Sequence, residues 1–325
     1  KMFNQYLSQF LKRHNFIANE IFKLGKNYTH VNKFSTNAFL INNVGRANCV
    51  SKIHCDFEKG VHPNSTLIPI TNGVFPGRWQ AANWPTVLDG TSDDQIKKLH
   101  RQNKNDLLSF VAEKTQVSLN PDVLTIVWAR RLTEYKRPLL IFSDIKRLHQ
   151  MVADPEKPVQ IIISGEASSS DNQAQETLRK VLSFTHSSDF YGKIVYLPGY
   201  CLSTAQKLIV GADLWLNTPQ LGKEACGTSG MKAGLNGVLE FSVPDGWYAE
   251  VNWTGIGWDL LEDNIVENLY ATLENEIIPC FYNLAPTTSL SWIARMRKTI
   301  EIIQNAFTTK RMMEDYINKL YFPIL

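Results

Sequence analysis

Short apolar runs alternate with helical segments from about residue 95 onward, and this alternation restricts the folds open to the chain. The runs are, in order, LTIVWA, VQIIISG, KIVYLPG, DLWLN and GVLEFSV. Strands that are apolar on both faces and separated by helices are typical of a parallel sheet covered by helices on both sides. We therefore predict an α/β fold with a doubly wound parallel sheet. The helices predicted between its strands lie at 138–152, 173–184, 202–210 and 231–236.

Further helices are predicted on either side of this region. Two lie at 1–14 and 17–25, and two amphipathic ones lie within 291–321, where Thr308 or Thr309 could cap the second. The segment between the first two of these helices and the sheet is irregular and contains TNGVFPGRW, whose Gly and Pro residues mark turns. The first 95 residues therefore hold too little regular apolar sequence for an independent domain.

Charge and cysteine content exclude several classes of function. The chain has 34 Lys and Arg residues against 31 Asp and Glu, so its formal net charge of +3 gives no global field for nucleic acid or a membrane surface. Its five cysteines show no repeating spacing, and no Cys/His cluster has the spacing of a zinc site. No apolar run has the length of a membrane span, and no signal peptide opens the chain. We expect a cytoplasmic protein with reduced thiols and without bound metal, nucleic acid or membrane.

Unusual residues follow the predicted strands. Ligands in doubly wound sheets bind beyond the carboxyl ends of the strands. Arg130 and Arg131 follow the first strand, Glu166 follows the second, and Tyr200 follows the third. The glycine-rich stretch EACGTSGMKAGLNG, at 224–237, follows the fourth strand. We expect these groups to lie together at one edge of the sheet.

The first strand end, WARRLTEYKRP, is strongly basic. Arg130, Arg131, Lys136 and Arg137 lie within eight residues of sequence. A solvated basic helix start is one interpretation of this cluster. Cations near a helix N-terminus are, however, disfavoured unless an anion neutralises them. A bound phosphate would be that anion.

The glycine-rich stretch places Lys232 near the start of a predicted helix. The stretch matches neither the Walker loop nor the dinucleotide pattern, nor the nucleophile elbow of hydrolases. The backbone N–H groups of Thr228, Ser229 and Gly230 would still face an anion at this helix start. A lysine partly desolvated by an apolar helix is the type that forms a Schiff base. On these residues alone, an ordinary surface lysine remains an equal alternative.

Taken together, the motifs resemble those of one enzyme family. EACGTSGMKAGLNGVLEFSVPDGW is similar to the pyridoxal-phosphate motif of the α-glucan phosphorylases of glycogen, starch and maltodextrin, especially their short-type branch. Further matching stretches follow in the family's order: NCVSKIH, ITNGVFPGRW, WARRLTEYKRP, LPGYCLSTAQKLIVGADLWLNTP and FTTKRMMEDYINKLYFP. The resemblance covers essentially the whole chain, which corresponds to the C-terminal portion of the family.

The resemblance implies a GT-B fold, in which two Rossmann-like domains face each other across a cleft. It implies reversible phosphorolysis of α-1,4-glucan to glucose 1-phosphate, with pyridoxal 5′-phosphate as a cofactor whose phosphate exchanges a proton with the substrate phosphate. On this basis, 1–95 is the C-terminal remnant of the N-terminal domain with the interdomain segment. Residues 96–290 form the Rossmann-like cofactor-binding domain. Residues 291–325 are C-terminal helices that pack back towards the N-terminal domain.

The resemblance also assigns the cofactor-binding residues. Lys232 matches the lysine that binds pyridoxal phosphate covalently, Tyr200 matches a tyrosine near the cofactor, and Arg130 stands where some members have lysine. The expected 5′-phosphate site is formed by Thr228, Ser229 and Gly230.

Substrate contacts are assigned in the same way. Arg131 and Lys136 match the pair that grips the substrate phosphate, where charge is stabilised as an oxocarbenium-like glucosyl group is attacked. With Lys232, these two are the expected catalytic residues. The positions that match contacts to the sugar hydroxyls are His54, Glu224, Cys226 and Gly227, with Cys226 replacing the usual serine. Taken alone, a lone histidine such as His54 is more often a structural residue.

Three features depart from the family pattern. Glu166 stands where the family has lysine, and an inward-pointing glutamate would raise the electrostatic cost of binding an anion there. Cys49 replaces a glycine. The resemblance places residue 1 near the last helices of the N-terminal domain. The glycine loop over the phosphates and most of the glucan groove are therefore expected to come from an N-terminal half, which a separate chain could supply.

Two alternatives remain open. One is a degenerate homologue that binds pyridoxal phosphate or glucan without catalysis, which Glu166 favours. The other is a nucleotide-sugar glycosyltransferase of the same GT-B architecture, which would also use an Arg and Lys pair near a diphosphate. The motif around Lys232 argues against the second, because glycogen synthases have no lysine-bound cofactor.

Overall fold

The computed structural model describes residues 9–10, 12–13, 23–25, 34–84, 90–284 and 290–322. The helices predicted at 1–14 and 17–25 lie almost entirely outside the described residues.

A six-stranded parallel sheet forms the centre of the molecule. Its strands are β3 (Leu124–Ala129), β4 (Val159–Ser164), β5 (Ile194–Leu197), β6 (Leu214–Asn217), β7 (Leu239–Ser242) and β8 (Trp258–Asp259). They lie in the order β5-β4-β3-β6-β7-β8, which is the Rossmann order. This confirms the predicted α/β fold. The direction of winding reverses between β3 and β6, so a crevice opens beyond the carboxyl ends of these two strands.

Side-chain alternation explains why the sheet is covered on both faces. Ile126 and Trp128 of β3 belong to one buried apolar cluster, whereas Val127 and Ala129 belong to another. Successive side chains of a strand point to opposite faces. Every residue of β3, β4, β6 and β7 is buried, as expected for a strand with helices on both sides.

The described α-helices surround this sheet or connect its strands. They are α1 (Thr36–Asn43), α2 (Lys52–Val61), α3 (Pro76–Trp79), α4 (Asp93–Thr115), α5 (Ile145–Ala153), α6 (Asn172–Thr185), α7 (Leu202–Gly211), α8 (Thr228–Gly234), α9 (Ile265–Thr272), α10 (Ile278–Phe281), α11 (Trp292–Ala306) and α12 (Thr309–Asp315). Five 3₁₀ or π segments lie at Glu134–Lys136, Leu140–Phe142, Tyr248–Glu250, Leu273–Ile277 and Tyr316–Tyr321. None of the helices within the described ranges has both the length and the apolarity needed to cross a bilayer.

Two predicted helix boundaries are wrong for identifiable reasons. The helix predicted at 138–152 begins only at Ile145, because the side chain of Asp144 accepts a hydrogen bond from Arg147 N and caps the helix there. The helix predicted at 231–236 begins at Thr228, because Gly227 adopts a left-handed conformation, with φ of +83°, and starts the helix earlier.

The segment before the sheet packs against the C-terminal helices. A short parallel pair, β1 (Ala47–Cys49) and β2 (Leu67–Pro69), lies beside α2. Val74 N donates to Phe307 O, and Thr309 N donates to Val74 O. Thr308 caps α12, as predicted. These contacts join the two ends of the described chain, while the division into three domains stays a prediction.

A buried ion pair secures the amino-terminal edge of the sheet. Asp213 precedes β6 and contacts Lys104 Nζ, and its Oδ2 accepts a hydrogen bond from Thr125 N over 2.7 Å. His100 Nε2 lies 2.8 Å from the other carboxylate oxygen. Burial raises the pKa of Asp213, but the combined effects of Lys104 and His100 lower it by more, so the net shift is downward. The pair therefore links α4 to the first residues of β3 and to the residue before β6.

Replacing Asp213 should strongly destabilise the fold. Asp213→Asn leaves the Lys104 ammonium buried without its carboxylate, and removing one partner of a buried pair costs about 3–5 kcal/mol of unfolding free energy. Urea titration followed by circular dichroism measures this loss. Asp122→Asn is the matched control, because Asp122 contacts Arg101 at the surface. Equal losses for the two variants would contradict this role of Asp213.

Candidate functional site

Three charged side chains meet at the crevice between β3 and β6. Lys136 Nζ donates a hydrogen bond to the carboxylate of Glu224, and Arg130 Nη1 lies 3.5 Å from Glu224 Oε2. The exposed fractions of these side chains are 8% for Arg130, 10% for Lys136 and 13% for Glu224. Two largely buried cations thus share one carboxylate.

The guanidinium of Arg130 is incompletely paired. Its Nε and Nη1 atoms are buried and have no hydrogen-bond partner within the described residues. Burial lowers the pKa of Arg130, but an arginine stays protonated in proteins. A buried donor without a partner costs about 1–3 kcal/mol. An anion bound beside Arg130 would remove this cost.

Lys136 is also held in an environment that disfavours its charge. Burial and then the neighbouring Arg130 lower its pKa to about 8, although Glu224 acts in the opposite direction. Lys136 is therefore mainly protonated at pH 7 and loses its charge just above that pH. Its N–H groups remain donors for an anion at neutral pH.

The loop after β7 positions the glycine-rich stretch. Both oxygens of Asp245 accept backbone hydrogen bonds, one from Glu224 N and one from Gly246 N. Trp247 N donates to Cys226 O over 3.1 Å. Gly246 has a φ of +57°, and a Cβ built on it would lie 2.3 Å from Cys226 O, so a larger residue would push the two loops apart.

Helix α8 begins within the glycine-rich stretch and carries Lys232. The first N–H groups of a helix, here those of Thr228, Ser229 and Gly230, have no partner within the helix. Lys232 is the fifth residue of α8 rather than the second. Its Nζ lies 4.0 Å from the centroid of the Trp79 ring, and the side chain is half-buried. Burial, and then the charge of Arg78, lowers the pKa of Lys232.

Asn236 fixes the position of Trp79 beside that lysine. Asn236 Nδ2 donates to Trp79 O over 2.8 Å and to Lys232 O over 2.9 Å. Its Oδ1 accepts a hydrogen bond from Ala81 N over 2.8 Å. The single amide therefore binds the ITNGVFPGRW segment to α8.

The remaining predicted residues take different positions. Ser51 caps α2 and donates through Oγ to Ala225 O, which brings the first turn of that helix, with His54, against the glycine-rich loop. His54 Nδ1 is buried and has no partner within the described residues. Tyr200 Oη lies 3.4 Å from Ala129 O at the end of β3, and burial raises its pKa. Arg131 is exposed, unlike Arg130.

Glu166 does not enter the buried cluster. Its side chain is exposed, and its backbone carbonyl accepts a hydrogen bond from Leu132 N over 3.0 Å. The electrostatic cost considered for an inward-pointing glutamate therefore does not apply to this arrangement. The assignment of the individual site residues stays a prediction.

Two buried residues beneath the site had no role in the sequence-based assignment. Glu240 lies on β7 and is fully buried, and Asn217 Nδ2 donates to its Oε2 over 3.2 Å. The available signal was a lone carboxylate inside the apolar run GVLEFSV. Asp245 and Trp79 lay within quoted motifs, but their contacts depend on the tertiary structure.

A cavity of about 460 Å³ lies at the opposite, amino-terminal end of the strands. It is lined by residues of α4, by Asp213 and by aromatic residues that include Phe281 and Trp292. None of the predicted site residues lines it. We place the functional site at the strand carboxyl ends because the incompletely paired buried cations lie there.

Comparison with known proteins matches most of the chain to one family. The family model of the carbohydrate phosphorylases matches 65–319. A glycogen phosphorylase of Aquifex aeolicus is 37% identical over 268 residues, which cover 74% of this chain and 39% of that protein. A maltodextrin phosphorylase of Thermococcus litoralis is 32% identical over 346 residues, which cover 90% of this chain and 41% of that protein. The chain thus spans about two fifths of the length of these relatives, which fits the predicted correspondence to their C-terminal portion.

Binding of a dianion should depend on the protonation of Lys136. Because its pKa is about 8, the affinity for sulfate should fall above that pH by roughly tenfold per pH unit, as Lys136 loses its charge. Calorimetric titration between pH 7 and pH 10 measures the profile, since sulfate itself does not titrate there. In Lys136→Arg the guanidinium stays charged and the fall should disappear. Identical profiles for the two proteins would contradict the assignment.

Proposed function

Because the chain belongs to the carbohydrate phosphorylase family, we propose that it is part of an α-1,4-glucan phosphorylase. This enzyme would use pyridoxal phosphate and orthophosphate to release glucose 1-phosphate. The observation that carries the proposal is the incompletely paired Arg130 beside Lys136. The half-buried amine of Lys232, on the helix that follows the same glycine-rich loop as Glu224, supports it. The names of the relatives, glycogen and maltodextrin phosphorylase, support α-glucan as the substrate.

The residues present fit pyridoxal phosphate. The lowered pKa of Lys232 increases the fraction of free amine, which is the form that reacts with an aldehyde. Arg130 and the N–H groups at the start of α8 would hold the 5′-phosphate, since both are hydrogen-bond donors without sufficient acceptors. When bound, the cofactor supplies a phosphate that exchanges a proton with the substrate phosphate.

Lys136 has the properties required to bind the substrate phosphate. It is protonated at neutral pH and largely shielded from water, so its charge acts through a low dielectric. In that position it would stabilise the charge on the phosphate as the glucosyl bond breaks. Arg131 is exposed, and its contact with the same phosphate stays a prediction of the resemblance.

The glycine-rich loop and α2 supply polar groups for the sugar. The carboxylate of Glu224 can accept hydrogen bonds from sugar hydroxyls, and His54 Nδ1 has no partner within the described residues. Burial raises the pKa of Cys226 to about 12. Cys226 therefore remains a neutral thiol, which is a weaker donor than the serine hydroxyl that it replaces.

A second candidate is a homologue that binds the cofactor without catalysis. The substitution of Glu166 for the family lysine favours this candidate, because the resemblance implies that this lysine lies near the phosphates. The alternative of a nucleotide-sugar glycosyltransferase has no support in the family match. We further propose that phosphorolysis requires residues equivalent to the remaining length of the relatives, in the same polypeptide or in a separate one.

Pyridoxal phosphate should bind covalently to Lys232. The native chain incubated with the cofactor and then dialysed should retain an absorbance band of lysine-bound pyridoxal phosphate above 300 nm, on the order of one cofactor per chain. Lys232→Ala should lose the band. Lys223→Ala, an exposed lysine of the preceding loop, is the control that should keep it.

Product formation then separates the two candidate functions. The chain loaded with the cofactor is incubated with maltoheptaose and orthophosphate. One sample contains the chain alone, and the other also contains a polypeptide that corresponds to the part of the relatives that this chain does not cover. Glucose 1-phosphate in the complemented sample supports the phosphorylase. A cofactor band without any product in either sample supports the homologue that binds without catalysis, and a native chain without a band contradicts both.

A further inference from the structure

Glu240 is a fully buried carboxyl group that the proposed mechanism does not use. It lies on β7 directly beneath the start of α8, where a Cβ built on Gly230 would lie 2.9 Å from its Oε2 atom. It forms no ion pair within 4 Å among the described residues, although the guanidinium of Arg130 is buried nearby. An ionised carboxylate buried without a paired cation is costly.

The contacts of this carboxyl group with Asn217 indicate where its proton lies. Asn217 Nδ2 donates to Glu240 Oε2 over 3.2 Å. The two other oxygens of the pair, Glu240 Oε1 and Asn217 Oδ1, are both buried and have no partner in the described part of the chain. Two acceptors cannot satisfy each other, but a proton on Oε1 turns that oxygen into a donor. A protonated Oε1 can then donate a second hydrogen bond, to Asn217 Oδ1.

The groups that surround Glu240 are consistent with a neutral acid. Burial raises the pKa of Glu240 well above its usual value, and the opposing effects of Arg130 and Asn217 are smaller. Tyr248, in the turn after β7, lies close enough to interact electrostatically with Glu240, and burial is the main cause that raises its pKa well above the usual value. A Cβ built on Gly230 would lie 2.9 Å from both Glu240 Oε2 and Trp247 Cζ2, so the backbone of α8 lies against the carboxyl group, and neither it nor the nearby indole ring titrates.

We propose that Glu240 is protonated in the folded chain and donates a hydrogen bond to Asn217 Oδ1, so that Arg130 is left free to bind a substrate anion. Glu240 is in this sense a positioning residue. An ionised Glu240 would reduce the net positive charge around Arg130 and compete with the anion, whereas the neutral acid adds no negative charge. Glu224 is then the carboxylate that pairs with Arg130 and Lys136. The consequence for the anion depends on the function proposed above, but the location of the proton does not.

Infrared spectroscopy at pH 7 tests the location of the proton. The native chain should show the carbonyl-stretch band of a protonated carboxylic acid, and Glu240→Gln should lack it. Glu166→Gln, which changes an exposed glutamate, should keep it. In Asn217→Val the band should move to higher frequency, because the carbonyl loses its hydrogen bond. No difference between native and Glu240→Gln would overturn the proposal.

Sulfate binding tests the consequence for Arg130. Glu240→Gln is an uncharged mimic of the acid, so its sulfate affinity should lie within about twofold of the native value. An affinity at least tenfold tighter in Glu240→Gln would show that Glu240 had been an ionised competitor, and would overturn the proposal. A native chain that shows the infrared band but binds no sulfate would contradict the anion site of the proposed function and leave the location of the proton supported.

Discussion

The burial of Arg130 and Lys136 beside a single carboxylate is the constraint on which the rest of the site depends. Both cations are about nine-tenths buried, and both interact with Glu224. Two cations in a low dielectric repel each other, which is one cause of the lowered pKa of Lys136. The arrangement persists because the rest of the fold holds the two side chains in place. An anion that enters the crevice relieves this repulsion and the unmade hydrogen bonds of Arg130 together.

The surrounding fold holds this arrangement through a few backbone contacts. The crevice lies where the sheet reverses its winding, which is where ligands bind in doubly wound sheets. Asp245 and Gly246 fix the loop that carries Glu224, and Asn236 fixes Trp79 against Lys232. These groups come from three separate stretches of sequence. None of them forms a site without the sheet that joins them.

The regular parts of the fold were predictable because their causes are local. The strand LTIVWA is apolar on both faces, and the helices α6 and α7 were predicted to within one residue of their observed ends. The strand β8 was missed, because two residues carry no periodic pattern. The start of α8 was wrong, because it depends on the left-handed conformation of Gly227. Both features span only one or two residues, so no periodic pattern in the sequence indicates them.

The composition of the site stays a prediction, and its contacts were not predictable from the sequence. The resemblance selected Lys136, Glu224 and Lys232, and the structure brings the first two into direct contact. It did not indicate that Trp79 would cover Lys232, since that contact depends on a hydrogen bond between distant segments. Glu240 was visible as a carboxylate in an apolar strand, but the groups that surround it come from other segments and are known only from the fold.

Calorimetric titration with orthophosphate at pH 7, comparing the native chain with Arg130→Met, tests the central claim most directly. Arg179→Met is the control, because Arg179 is exposed on α6 and pairs with Glu176. We expect Arg130→Met to weaken binding by at least about tenfold, the loss expected when a charge-assisted hydrogen bond is removed, and Arg179→Met to leave it unchanged. Equal affinity in the native chain and Arg130→Met would contradict the account.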